Sequence, residues 1–125
     1  MRRLKPAIAL SLSLFIPIVN AEGMAYLLNS TPIERAASQT RFMKTKLSLS
    51  QDEVSKIQQI NREYAEKIEP VLKGSDIGLL KMRDIKAILE QKNNALRNVL
   101  TSEQFDVYEN TKNELKQAFQ QDLTR

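Results

Sequence analysis

The stretch Leu49-Ser50-Gln51-Asp52-Glu53-Val54 returns, in chemical type, as Leu100-Thr101-Ser102-Glu103-Gln104-Phe105. Both read L-[ST]-x-x-[EQ]-apolar, the pattern of a helix entry. The hydroxyl of Ser50 or Thr101 can accept from an orphan backbone N–H one turn on. Glu53 or Gln104 can reach back to the N–H of the capping residue, which completes a capping box. Leu49 with Val54, and Leu100 with Phe105, are placed to close over each entry as a hydrophobic staple. The next apolar position matches too, Ile57 in one copy and Tyr108 in the other. A chain punctuated twice in this way must start a helix at each corner. A capping box by itself implies nothing more than that.

Apolar residues around the corners recur in steps of three and four, the period of a helix. Thr31-Pro32-Ile33-Glu34 is a further entry, with Pro at the first helical position and Glu at the third. The helix it opens is predicted to run to about Lys46, with Ile33, Ala36, Ala37, Thr40, Met43 and Leu47 on one side. A second helix follows Ser50, with a stripe of Val54, Ile57, Asn61, Tyr64, Ile68 and Val71, widened by Ile60, Ala65 and Leu72. Asp52 with Lys56 and Glu63 with Lys67 are spaced as surface ion pairs. Pro70 disfavours helical geometry at Glu69, so a kink or stop is expected there, then a turn through Lys73-Gly74-Ser75-Asp76.

The third helix is predicted from about Ile77 to Val99. Its seam is Met82, Ile85, Leu89, Lys92, Leu96 and Val99. Its other side gathers Arg83, Lys86, Glu90, Asn93 and Arg97, a mainly basic stripe whose plain reading is a solvated face. On the fourth, Phe105, Tyr108, Lys112, Leu115 and Phe119 carry the seam to about Gln121, with Leu123 to Arg125 fraying. Lys92 and Lys112 on these seams are expected to lay their stems along the apolar surface and bring their ammonium groups out to water. Asn61 can set register or partner choice. No segment alternates like a strand. The expected fold is all-α, a small hairpin or bundle of three to four helices.

The N-terminal stretch stands apart from this pattern. Arg2, Arg3 and Lys5 precede an apolar run from Ala7 to Val19, and Val19-Asn20-Ala21 offers a cleavage site. The run is shorter than the roughly 20 residues of a membrane span, and Pro17, Asn20 and Glu22 interrupt any extension. Residues 1–21 are read as a cleaved secretory signal, with an uncleaved anchor as the alternative, and residues 22–125 as one α-helical domain. Glu22 to Ser30 lacks a clear period and is expected to form a loose arm, in which Met24 to Leu28 can dock on a neighbour. Removing the leader takes three basic residues from a formal charge of +4 and leaves +1. That near-neutral balance gives no support to a nucleic-acid or anionic-membrane partner.

Several chemistries lack their residues. The chain has neither Cys nor His, which removes disulfides, a lipoprotein cysteine, the commonest general base and the commonest transition-metal ligand. No nucleophile–base pair can be assembled, and three glycines form no phosphate-cradling loop. Carboxylates are spread among lysines along helix exteriors. A site for a hard cation would need acids clustered on a loop, and Ser75-Asp76 is not one. No enzyme, metal or cofactor is expected.

A secretory leader, a helical mature part and two LTxxQ-type motifs flanking a long helical hairpin resemble the Spy/CpxP family of small periplasmic proteins. The motifs stand here as Leu49-Ser50-Gln51-Asp52-Glu53 and Leu100-Thr101-Ser102-Glu103-Gln104. The second matches in full, whereas the first has Ser for Thr and Glu for Gln. The resemblance covers roughly Phe42 to Phe119. It implies a periplasmic protein that forms an antiparallel, cradle-like homodimer with a concave face. Spy-like members hold unfolding clients without ATP, and CpxP-like members also bind the sensor domain of an envelope-stress kinase. Leu49, Ser50, Glu53, Leu100, Thr101 and Gln104 are taken as structural corners, and Arg83, Lys86 and Arg97 as candidate client-facing groups. The expected function is an envelope holdase or stress-response chaperone, with a regulatory adaptor lacking general chaperone activity as the alternative. An inert coiled-coil subunit is a third.

Overall fold

The computed structural model describes residues 29–123, with side chains described for residues 29–113. The leader, the Met24 to Leu28 segment, Thr124 and Arg125 lie outside the described residues, as do the side chains of Leu115 and Phe119. The described chain is all-α, with helices α1 (Pro32–Leu47), α2 (Gln51–Lys73), α3 (Gly78–Arg97) and α4 (Ser102–Leu123), and no strand among the described residues. α1 packs on α2, α2 on α3, and α4 against α1 and α3, which closes a four-helix bundle. Contacts between α1 and α2 run antiparallel: Arg35 meets Glu69, whereas Thr40, further along α1, meets Asn61.

Three of the four helices start with the same chemistry. At Thr31, the side chain accepts from Glu34 N–H at 3.1 Å while the Thr31 N–H donates to Glu34 Oε2 at 2.7 Å. Ser50 with Glu53 and Thr101 with Gln104 repeat this reciprocal pair, with backbone-to-side-chain bonds of 2.8 and 2.9 Å. α3 is the exception. Its cap, Ile77, makes no side-chain bond, and its first turn holds no acid to meet the helix dipole.

The helix ends are equally local. α1 closes on Ser48, which adopts the left-handed conformation (φ 51°, ψ 51°) and donates its N–H to Lys44 O. The C-terminal Lys44 and Lys46 complement the dipole there. Of the kink or stop expected at Pro70, the stop does not occur: α2 continues to Lys73. Proline removes one helix hydrogen bond, yet Leu72 beyond it is buried against Ile85, with Ile68 and Val71 alongside. Burial of that last turn outweighs the local preference. The expected turn then follows, with Gly74 as the cap, its N–H donating to Val71 O. A Cβ on Gly74 would lie 3.1 Å from Pro70 O, so close backbone approach, not a positive φ, favours glycine here.

The core has two apolar parts. The larger joins Met43, Leu47, Leu49, Ile57, Leu96, Leu100, Phe105 and Tyr108, with Val54, Ile60 and Val99 packed against it. Both staples and both residues at the next matched position therefore belong to one cluster. The smaller part is Leu72 with Ile85, flanked by Ile68, Val71 and Leu89. Two expected stripe residues depart from the core. Ile33 is 58 % exposed and Met82 48 % exposed, both near the end of the bundle where the α2–α3 turn lies. Arg35 and Gln39 are buried on α1 in their stead.

Candidate functional site

The corner residues singled out in the sequence meet in space. Gln104 uses Oε1 to accept from Thr101 N–H, and its Nε2 donates to Leu47 O and Glu53 Oε1, each at 3.4 Å. Glu53 Oε1 accepts from Ser50 N–H at the same time. The two capping boxes are thus wired to each other and to the last carbonyl of α1. Ser50 N–H, with the Ser50 hydroxyl and Gln104 adding to it, holds the Glu53 carboxyl below its ordinary value and so keeps it an acceptor. One box carries Glu and the other Gln, and this difference gives the link a donor on one side only. Leu49 and Leu100 are buried beneath it.

The three basic candidates share the outer face of α3 but have different surroundings. Arg83 is exposed and paired with Asp84 at 3.1 Å. Lys86 is exposed and makes no ion pair among the described residues. Arg97 sits at the far end, stacked over the Phe105 ring at 4.4 Å and bonded to Asn94 Oδ1 at 3.0 Å. It borders a shallow cleft of about 320 Å³ with Leu100, Thr101, Ser102, Phe105 and Asp106. The structure therefore does not bring all three together. Arg83 and Lys86 form one group, and Arg97 belongs to the α3–α4 corner.

Apolar residues that the sequence reading did not assign to this face complete the first group. Leu79 is 76 % exposed and lies four and seven positions before Arg83 and Lys86, on the same side of the helix. Met82 joins them there, and Ile77 at the cap is also exposed. An apolar patch bordered by cations results. Its signal was present in the sequence, since Leu79 falls outside the seam spacing.

Inside the bundle, the expectation for Lys92 is overturned. Its side chain does not bring the ammonium group out to water. It is buried, and Nζ donates to Gln39 Oε1 at 2.6 Å. Burial, with the nearby charge of Lys112, pulls the Lys92 pKa down to about 7. Lys112 does stay partly exposed, paired with Glu109 and lying over the Tyr108 ring. Asn61 is fully buried and donates to Thr40 Oγ1 at 3.1 Å, which ties α2 to α1 in register. A further buried cation, Arg35, bonds Glu69 Oε1 and the carbonyl of Ser30, each at 2.7 Å. Glu69 is pushed up by burial, but hydrogen bonds from Arg35 and Lys73 outweigh that and leave its pKa lowered.

Among the described residues, no group of His, Cys, Asp and Glu could hold a metal ion, and no helix is long and apolar enough to cross a membrane. The arrangement is that of a small helical bundle with interlocked entries and an amphipathic outer face. The chain matches the family described as Domain of unknown function (DUF4890) over residues 25–108, well over half its length, and it belongs to that family. The match takes in both corners. No curated protein and no solved structure matches the chain.

Proposed function

We propose that the mature chain is a periplasmic, cofactor-free binding protein of the holdase type, which captures unfolding segments on the outer face of α3. The observation that carries this reading is the placement of exposed Leu79 and Met82 beside exposed Arg83 and Lys86. Apolar side chains that a folded monomer leaves in water favour contact with other apolar chains. Flanking cations add attraction to acidic segments and weaken with salt. The leader and the resemblance to Spy/CpxP proteins support the compartment and the class. The corner motifs position the bundle and are not contact residues.

The test is aggregation of a chemically unfolding model protein, followed by light scattering, with the chain from Glu22 onward added without nucleotide. Suppression near stoichiometric ratios is expected, and it should weaken as salt is raised. Charge reversal at Arg83 and Lys86, or Leu79→Ser with Met82→Ser, should reduce it, whereas reversal at Arg97 should not. No suppression at several-fold excess would overturn the holdase reading. A single saturable complex with a folded sensor domain would then mark the chain as an adaptor.

A further inference from the structure

One level of the bundle core is polar. Gln39 and Thr40 from α1, Asn61 from α2 and Lys92 from α3 are all buried there. On one side of this level along α3 lies Leu96 of the larger apolar cluster, and on the other Ile85 of the smaller. Among the described residues, the core thus falls into two apolar clusters, one on each side of this level.

Lys92 is the charged member, and among the described residues it has no ion pair; its one hydrogen-bond acceptor is the Gln39 amide. α1 presents the Gln39 amide, and its Arg35 is engaged by Glu69 and Ser30. α2 presents Asn61, whose Oδ1 has no hydrogen-bond partner. The described part of α4 presents Tyr108, Glu109 and Lys112. Glu109 is paired with Lys112, whose charge acts against that of Lys92. A buried ammonium with one amide acceptor and a like charge nearby is poorly compensated.

The two parts of the core differ in what secures them. The larger cluster is fastened by the Glu53–Gln104 link and two capping boxes. The smaller, among the described residues, rests on Leu72 and Ile85 under a helix entry without a side-chain cap; Arg35–Glu69 ties α1 to α2 there, and a single bond from Lys81 Nζ to Leu72 O at 3.0 Å ties α3 to α2. The geometry points to a proton-operated joint: charging Lys92 opens the α2–α3 turn end of the bundle while the corner end stays closed. Opening would uncover Leu72 and Ile85 next to the already exposed Leu79 and Met82, which enlarges the apolar surface.

The direction follows from linkage. Lys92 loses its proton at about 7 when buried, against about 10.4 for a free lysine, so the opened form holds more protons between those values. Opening becomes easier as pH falls from about 10.4 toward about 7, by up to about tenfold per unit, and levels off below.

Hydrogen exchange of α3 amides, corrected for intrinsic rates, between pH 7 and 9.5 tests the joint. The opening constant for Leu80 to Leu89 should rise as pH falls, while amides of α2 next to Ile57 stay protected. Lys92→Met should flatten this dependence and slow opening, and Lys92→Gln, which keeps a polar group, should flatten it as well. Lys112→Gln should raise the pH at which Lys92 titrates, read from its side-chain NMR signals. Retention of the pH slope in Lys92→Met, an ordinary titration of Lys92 near 10.4, or simultaneous loss of protection throughout the bundle would each overturn the joint.

Discussion

Gln104 donates to Glu53 across a separation of 51 residues, so the third residue of one helix entry completes the third residue of another. The same amide nitrogen reaches Leu47 O, and the amide oxygen serves its own capping box. One side chain therefore fastens the end of α1, the start of α2 and the start of α4. Replacing it with Glu should keep the local box, remove both donors and set two carboxylates against each other. We expect Gln104→Glu to lower stability by about 1–2 kcal/mol at pH 7. Like-charge proximity raises the pKa of the pair, so the loss should shrink as pH falls and a proton is taken up. Adding Glu53→Gln restores one donor and should recover most of the loss, measured by urea unfolding in a double-mutant cycle.

The Arg35–Glu69 pair links α1 to α2 at the opposite end. Arg35 is 2 % exposed, whereas Glu69 retains some contact with solvent. Arg35→Ala should cost roughly 2 kcal/mol, below the range for a fully buried pair because Glu69 can rehydrate. Glu69 has a lowered folded pKa, so its contribution is present above the unfolded value, about 4.3, and is lost as pH falls through the folded one. Acid unfolding of Arg35→Ala should therefore show a shallower dependence in that window. An unchanged acid limb would assign the dependence to other carboxylates.

Ser48 takes a conformation that suits glycine, with φ at 51°. Its N–H serves the helix end by donating to Lys44 O, a bond that any residue can make. Ser48→Gly removes the left-handed strain but adds freedom to the unfolded chain, for a net gain of roughly 0.5 kcal/mol. A shift of the urea midpoint upward, with the slope unchanged, is the expected result.

Core and outer face of α3 should separate cleanly. Leu96 is fully buried in the larger cluster, whereas Leu79 is largely in water. Leu96→Ala should cost about 2–5 kcal/mol and Leu79→Ala no more than about 0.5 kcal/mol. On the proposed function, the ranking reverses in the aggregation assay. Measuring both variants by thermal unfolding and by light scattering checks the two halves together.

Much of this architecture was legible because its determinants are local. The entries at Thr31, Ser50 and Thr101 each depend on residues within one turn, and all three boxes form as their spacing requires. Leu49 with Val54 and Leu100 with Phe105 did join the core. Glu63 pairs with Lys67 as spaced, whereas no ion pair joins Asp52 and Lys56 among the described residues. Pro70 did not stop its helix and Met82 did not join the core, for a shared reason. A local rule states the cost of helical geometry or the seam to which a residue belongs, but not what neighbouring helices offer at that height. Leu72 packs on Ile85, whereas Met82 stays 48 % exposed.

The chain's own pattern determined the helical class, the three capped entries, the turn after Lys73 and the exposed basic side of α3. Each is set by contacts within a few residues, and those contacts can be read along a line. Only the tertiary structure decided that the two corners share a hydrogen bond, that Arg35 is buried against Glu69, and that Lys92 points inward to Gln39. These depend on which helices face one another and at what level. Gln39 and Lys92 lie 53 residues apart and show no periodic relation. Burial turns an ordinary seam lysine into a poorly compensated charge, because the penalty comes from the neighbours that exclude water and not from the residue itself.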